Sequence, residues 1–375
     1  MITLTEDING NPALLAVERA VAELRRGRAV VVRGAGLSAV AAAIETTPVR
    51  QLDRLLATGG DAARILISGH RARALGWSGP SAGALSARLP MPIESSTLRA
   101  LAAVEMTSAT AHVLDTFPHL DLEPAGAAGT AALALAKQAH LLPALVLIEP
   151  ARSGPAPQML EVAIDDIAAY ERPEAEHLQR VSEAQVPLAG HEDCRLVLYR
   201  DDRDGTEHVA VLIGQPDLAE PVPVRLHSSC LTGDLLGSLR CDCGEQLRGA
   251  VERLARAGGG VLLYLAQEGR GIGLANKLRA YTLQDTGLDT LDADQHLGFE
   301  PDERTYESAA SMLRDLGIGR VRLYTNNPRK VEALEESGIE VVERVHIGAP
   351  VNPHNERYIR TKRDRAGHLI PDDPA

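Results

Sequence analysis

Three of the chain's four cysteines, Cys230, Cys241 and Cys243, share one stretch, "HSSCLTGDLLGSLRCDCGEQL", with the spacing C-x10-C-x-C. Four cysteines in 375 residues do not make a disulfide framework, so clustered thiols point to metal binding or catalysis. A structural zinc site is closed by four protein ligands, whereas a catalytic one keeps three and leaves the fourth position to water. Three ligands plus water fits this spacing, and zinc then lowers the pKa of its water to about 7, which creates a hydrolytic nucleophile. Two other arrangements are compatible with the residues. Cys194, in "CRLVLYR", could complete a four-thiol structural site, or the thiols could be buried without metal.

Cations recur near the ends of apolar runs: Arg225 and Arg240 around the cysteines, Arg270 in "QEGRGIG", Arg304 in "PDERTY" and Lys330 in "TNNPRK". Each alone reads as part of a solvated face, but together they suit an anionic ligand. Gly269, Gly271 and Gly273 let backbone amides approach an anion closely, with the following helix aiming its N-terminal dipole there. The loop lacks both the Walker lysine with Ser/Thr and the G-x-G-x-x-G spacing, so a polyphosphate would be held by a different device. The formal charge of −12 opposes broad nucleic-acid binding, and any anionic ligand must meet a local basic pocket.

The elements that must position these residues are legible from periodicity. "ALLAVERAVAELRRGRAVVVRG" reads as an amphipathic helix ended at Gly27 and followed by a buried strand, and "ALVLIEP" as a further strand. The runs "RSGPAPQ" and "ERPEAEHLQRVSEAQVPLAGHED" read as linker, which predicts two domains, 1–185 and 186–375. Beyond it, "CRLVLYR" and "EHVAVLIG" predict a hairpin. "GVLLYL" then precedes the glycine loop and the helix "LANKLRAYTLQDTG". "RVRLYT" precedes a helix opened by Pro328, and "IEVVERV" is the next strand. Strand, helix and strand in that order predict an α/β fold in both domains. The N-terminal run "MITLTEDINGNP" has no signal-peptide pattern, and no apolar run approaches the roughly 20 residues that span a bilayer, so the expectation is a cytoplasmic protein with no membrane partner.

The segments "RLHSSCLTGDLLGSLRCDCGEQL", "YLAQEGRGIGLANKLRAYTLQDTGLDTLDADQHLGFEPDERTY", "TNNPRKVEALEESGIEVVERV" and "NPHNERYIRTKRDRAGHL" together resemble GTP cyclohydrolase II over nearly all of residues 186–375. The resemblance implies an α/β domain with a mixed sheet and flanking helices, a homodimer, one catalytic zinc per chain, and magnesium with the triphosphate. It implies hydrolysis of GTP to 2,5-diamino-6-(5-phosphoribosylamino)pyrimidin-4(3H)-one, formate and pyrophosphate, the first step of riboflavin biosynthesis. By motif, Cys230, Cys241 and Cys243 become the zinc ligands, with water attacking C8 of the purine. Arg304 is matched to the family's nucleophile towards the α-phosphorus and Asp302 to its proton acceptor. A guanidinium is protonated and not nucleophilic, so an electrostatic role for Arg304 on the phosphoryl group is the alternative. Tyr281 matches the tyrosine near the purine. Substrate contacts are implied for Arg225, Leu226, His227, Ser228 and Ser229, for Gln246, for Glu268, Gly269 and Arg270, and for Thr290, Thr325 and Lys330. Ser229 departs from the H-S-E-C that many members carry.

The first half resembles 3,4-dihydroxy-2-butanone 4-phosphate synthase only in "AVAELRRGRAVVVRG". Where that family has D-D-E-x-R-E-N-E-G-D this chain reads "RGAGLSAVAAAIE", and its G-H-T-E appears as "AGTA" at residues 128–131. Without those carboxylates and imidazole there is nothing to bind a divalent ion or move protons on a sugar phosphate, so a catalytically silent scaffold is expected. The alternatives are a bifunctional enzyme that also makes the butanone phosphate, and a non-catalytic nucleotide-binding protein with structural zinc.

Overall fold

The computed structural model describes residues 11–34, 36–80, 83–104, 114–115, 117–149, 159–170, 177–348 and 351–370. The expected linker run "RSGPAPQ" lies outside them. Among the described residues, strands form two seven-stranded sheets. No described helix is long and apolar enough to cross a membrane.

The first sheet contains β1 (Val30–Gly34), β2 (Leu37–Ala43), β3 (Ala63–Ser68), β4 (Ala84–Arg88), β5 (Glu123–Pro124), β6 (Ala144–Ile148) and β7 (Leu160–Ala163), in the order β5-β4-β3-β6-β2-β1-β7. All its pairings are antiparallel except β1 with β7. Alternation along the strands sends side chains to two cores. Leu66, Leu145 and Leu147 pack with the helices Pro12–Arg25 and Ala127–Gln138, whereas Ile65, Ile67 and Val146 pack with Val49–Gly59 and Ser95–Leu101. Helix Pro12–Arg25 starts where Asn11 accepts from the Ala13 amide and has proline in its first turn, as the sequence pattern predicts.

The second sheet contains β8 (Leu178–Gln185), β9 (Cys194–Asp201), β10 (Glu207–Ile213), β11 (Val222–Ser228), β12 (Gly260–Leu265), β13 (Arg320–Tyr324) and β14 (Glu340–Val345), in the order β14-β13-β11-β12-β10-β9-β8. The predicted hairpin is β9 with β10. The four strands β14, β13, β11 and β12 are mutually parallel. Alternation in β12 places Val261, Leu263 and Leu265 against the helix Glu307–Asp315, and Leu262 with Tyr264 against the helix Cys243–Arg256. Helices therefore cover both faces, the arrangement buried parallel strands require. From β11 the chain runs to β12 on one side, and β13 then pairs on the other side of β11. Connections that part in this way leave a crevice at the carboxyl ends of the strands, the usual ligand position in α/β sheets.

The chain divides into two compact units that do not follow the expected boundary. The first takes Met1–Arg172 together with Ala275–Leu288 and Asp292–Asp302, and the second takes Pro173–Leu274, Asp289–Leu291 and Glu303–Ala375. Residues 178–185, expected to be linker, are instead the edge strand β8 paired to β9.

Candidate functional site

The cysteines sit just past the carboxyl end of β11. Cys230 precedes a short helical turn, Leu231–Leu235, and Cys241 and Cys243 lie at the start of the helix Cys243–Arg256. Their sulfur atoms all lie within 4.8 Å of one another, and Cys230 Sγ is 3.7 Å from Cys241 Sγ. Tetrahedral zinc with Zn–S near 2.3 Å requires sulfurs about 3.8 Å apart, so the spacing fits that ion. Glycine makes the approach possible: a Cβ at Gly233 would lie 2.8 Å from Cys241 Sγ and 3.1 Å from Cys230 Sγ. Gly244 in turn packs on the Gly233 carbonyl, where a Cβ would come to 2.2 Å.

Hydrogen bonding to Cys230 and burial push the Cys241 thiol up to about 11, and Cys230, Cys241 and burial push Cys243 well above the ordinary thiol value. Three sulfurs this close repel as thiolates, and a divalent cation between them is what stabilises that form. Cys194 takes no part. It is fully buried, donates to the His191 carbonyl at 3.2 Å, and packs with Ile213, Ala250 and Leu254. Among the described residues, the three cysteines are the one cluster of His, Cys, Asp or Glu that could hold a metal ion.

Buried polar side chains that sequence reading missed brace the cluster. Asp234 accepts from the Cys230 amide at 2.9 Å and from Tyr264 Oη at 3.0 Å, with His227 Nε2 3.1 Å away. Burial lowers the pKa of His227, and its ring stacks on Tyr264 with centroids 5.6 Å apart. Asp242, between the two later cysteines, accepts from Lys362 Nζ at 2.8 Å and from Gln246 Nε2 at 2.6 Å. Burial raises the Asp242 pKa, but Lys362 outweighs it and holds the carboxyl below its ordinary value. Lys362 and Tyr358, the latter under its ammonium at 4.3 Å, come from the C-terminal helix Glu356–Asp364.

Of the residues the resemblance assigns to substrate, Arg225 is buried and tied to the Tyr324 carbonyl at 2.9 Å and to Gln246 Oε1 at 2.7 Å, and burial lowers its pKa to about 10. Arg225 and Gln246 thus hold each other as well as neighbouring elements. Lys330 is buried and donates to the Leu226 carbonyl at 2.7 Å. Thr325 lies at the turn after β13, where its hydroxyl accepts from the Asn327 amide. Ser228 Oγ lies 3.5 Å from Arg304 Nη1, and the Ser229 amide donates to the Leu265 carbonyl. Glu268 accepts from the Leu231 amide at 2.7 Å, which joins the glycine loop to the thiol turn.

That loop holds Gly269 and Arg270 in succession in the left-handed region, at φ 64° and 62°. For a non-glycine residue this conformation is uncommon, and it occurs where neighbouring structure imposes it. Here the Arg270 carbonyl accepts from the Glu303 amide, and a Cβ at Gly271 would meet the Glu303 backbone at 3.0 Å. The loop is thereby pinned beside the residue that precedes Arg304. The cations gather around two tyrosine rings: Arg304 and Lys330 lie 5.8 and 5.5 Å from the Tyr306 centroid, and Arg270 and Lys362 lie 6.0 and 4.3 Å from that of Tyr358. Burial, with these cations behind it, lowers the His368 pKa to about 3. A cationic basin therefore adjoins the thiols in a chain of net charge −12.

Thr290 opens the short helix Thr290–His296. Tyr281 lies on the helix Gly273–Asp285, with Lys277 Nζ 5.8 Å from its ring centroid. Tyr281 and Asp302 both belong to segments that pack as part of the first unit. In that unit, Ala128 and Ala131 of the "AGTA" run are core residues of the helix Ala127–Gln138.

A model of the GTP cyclohydrolase II family matches residues 179–346. GTP cyclohydrolase-2 of Azospirillum brasilense is 46% identical over 96% of this chain and 94% of its own length. GTP cyclohydrolase-2 of Azotobacter vinelandii is 56% identical over 46% of this chain and 83% of its own. Among solved structures, a two-domain 3,4-dihydroxy-2-butanone 4-phosphate synthase from A. baumannii aligns at 18% identity with a TM-score of 0.32, covering 89% of this chain and 99% of its own.

Proposed function

The chain belongs to the GTP cyclohydrolase II family, and from that premise we propose that it hydrolyses GTP to 2,5-diamino-6-(5-phosphoribosylamino)pyrimidin-4(3H)-one, formate and pyrophosphate, the first step of riboflavin biosynthesis. The observation that carries the reading is a three-thiol cluster with Lys362 bound to Asp242 between two of the cysteines and Arg270 sharing the Tyr358 ring with that lysine. A purine to be opened and a triphosphate to be cleaved need those two features together.

Cys230, Cys241 and Cys243 would hold one zinc, which supplies Lewis acidity and activates water for attack at C8 at neutral pH. Asp234 and Asp242 fix the cysteine backbone and the start of the helix Cys243–Arg256, which keeps the sulfurs in register. The Glu268 carboxylate, at the thiol turn, suits the guanine edge, whereas Arg270 and Lys330 suit the phosphates, which enter with magnesium. Arg304 stabilises charge on the α-phosphoryl group as pyrophosphate leaves. A cation that shares the Tyr306 ring with Lys330 is suited to that electrostatic role without a covalent bond. Tyr281 moves or orients a proton at C8, and Asp302 accepts a proton in the phosphate half. A cytoplasmic homodimer completes the reading, with the exposed Leu235, Leu236 and Leu239 beside the thiol turn as apolar surface available to a second copy.

Incubation of the zinc-loaded protein with GTP and magnesium, followed by assay of formate and pyrophosphate, tests the function. Formation of both is expected. Binding of GTP with neither product would overturn the reading in favour of a nucleotide-binding protein. Tyr281→Phe should impair formate release more than pyrophosphate release, and Arg304→Ala should block pyrophosphate release.

A further inference from the structure

Two segments from the second half of the sequence are built into the first unit, and both carry residues assigned above to chemistry: Ala275–Leu288 contains Tyr281, and Asp292–Asp302 ends at Asp302. The contacts that hold them are specific and largely buried. On the helix bearing Tyr281, the fully buried Asn276 donates from Nδ2 to the His140 carbonyl at 2.8 Å. One turn on, Arg279 pairs with Glu45 at 2.9 Å and donates to Asn276 Oδ1 at 2.7 Å. Glu45 is itself fixed by the Leu142 amide at 2.7 Å. Only Ala280 separates Arg279 from Tyr281.

The second segment is clamped more deeply. Arg71 is 1% exposed and gives its guanidinium to three backbone carbonyls, Leu101 at 2.8 Å, Ala100 at 3.2 Å and His296 at 2.8 Å. Burial lowers the Arg71 pKa to about 9. His70 Nε2 lies 2.8 Å from Glu300 Oε2. Between these anchors Gly298, at φ +98°, lies so close that a Cβ would sit 2.9 Å from Pro143 Cγ and from Ser68 Oγ. A buried arginine spent on a carbonyl from a distant segment fixes the path of the chain leading into Asp302.

We propose that the first half of the chain is a working part of the cyclohydrolase: Arg71, His70 and Glu45 are positioning residues that set the placement of Tyr281 and Asp302 for the reaction on GTP. The proposal rests on the catalytic reading of those two residues. It gives the synthase-like half a function that needs none of the missing carboxylates, since what it supplies is a rigid seat for two segments.

The test uses the full-length, zinc-loaded protein and two variants. Arg71→Met removes the donor to the His296 carbonyl. Glu45→Gln keeps an acceptor for the Leu142 amide but removes the charge opposite Arg279, and it decides the matter alone should Arg71→Met not fold. Each variant is measured for zinc content, for kcat and KM of formate release, and for amide exchange in residues 275–302. Because a misplacement of about 1 Å can lower a rate about 100-fold, the expected result is a kcat at least about tenfold lower for Arg71→Met and severalfold lower for Glu45→Gln. Zinc stoichiometry and KM should hold, and exchange in residues 275–302 should accelerate. Faster exchange with an unchanged kcat, or loss of activity that tracks loss of zinc, would overturn the proposal. Tyr281→Phe and Asp302→Asn, run in parallel, separate the two readings. Full activity in both would refute the catalytic assignment and the proposal with it, whereas their loss beside fully active Arg71 and Glu45 variants would refute the proposal alone.

Discussion

Replacing Gly233 with alanine adds one methyl group at the centre of the thiol cluster. That Cβ would stand 2.8 Å from Cys241 Sγ, 3.0 Å from Cys243 Cβ and 3.1 Å from Cys230 Sγ, against the 3.4 Å at which ordinary contact begins. Cys241 Sγ must therefore retreat by 3.4 − 2.8 = 0.6 Å, and its neighbours by less. A zinc site tolerates about ±0.2 Å in its ligand distances, so the sulfurs cannot all retreat and still share one ion. Overpacking of a well-packed site destabilises by about 1–3 kcal/mol. Taken wholly from metal binding, that range weakens zinc affinity about 5- to 150-fold. The assay is competition for zinc against a chromophoric chelator, with far-UV circular dichroism to confirm the fold. Gly249→Ala is the control, because its Cβ would meet nothing within 4 Å and the residue lies inside the helix Cys243–Arg256. That control should bind zinc normally and gain up to about 1 kcal/mol of stability from helix propensity. Unchanged zinc affinity in Gly233→Ala would refute the argument that glycine is required for the sulfurs to converge.

Cys241→Ser should lose zinc and formate release together, whereas Cys194→Ser should keep one zinc per chain; metal analysis of both purified variants checks this, and zinc loss from the Cys194 variant would restore a four-thiol site. Stability should fall on acidification. Burial, reinforced by neighbouring cations, depresses His368 to about 3 and His296 to about 4, so each is held neutral in the folded state. Their contribution is present in full above the unfolded histidine value of about 6.5 and is lost as pH falls through that value towards the folded ones. Urea midpoints should therefore be lower at pH 5 than at pH 7.5, and His368→Gln should reduce the difference. Ribulose 5-phosphate with magnesium should yield no dihydroxybutanone phosphate, and product above background would show that other residues have taken over the synthase chemistry.

The sequence made the thiol cluster and the parallel strands legible because both are local signals. Cys230, Cys241 and Cys243 are close along the chain, and β12 and β13 are short apolar runs between turn residues. Asp234, Asp242, Lys362 and His368 were not legible, since an acidic residue in a polar turn or beside a cysteine carries no mark of burial, and Lys362 reaches Asp242 across 120 positions. The strand β8 was read as linker for a related reason. Every residue of "LQRVSEAQ" after Leu178 is exposed, so no alternation marks it, and backbone pairing to β9 holds it in place. Edge strands with two wet faces give sequence reasoning little to work with.

The first half poses the sharper case, because there the sequence speaks through what it lacks. Losing a carboxylate or an imidazole removes chemistry without disturbing a core, provided the replacement packs. Ala128 and Ala131, in the "AGTA" run, do pack, in the core between the first sheet and its helices. Burying Arg71 takes a cation out of water at a desolvation penalty, which its three carbonyl partners offset: Ala100 and Leu101 lie in the first half, and His296 in a distant segment. Its His296 contact, the Glu45–Arg279 pair and the close approach at Gly298 all engage segments that continue into Tyr281 or Asp302. Part of the polar burial in this half thus holds segments that carry residues proposed to act on GTP. Motif reading could register only the departures from the synthase pattern, because backbone carbonyls, the partners Arg71 uses, leave no trace in residue type.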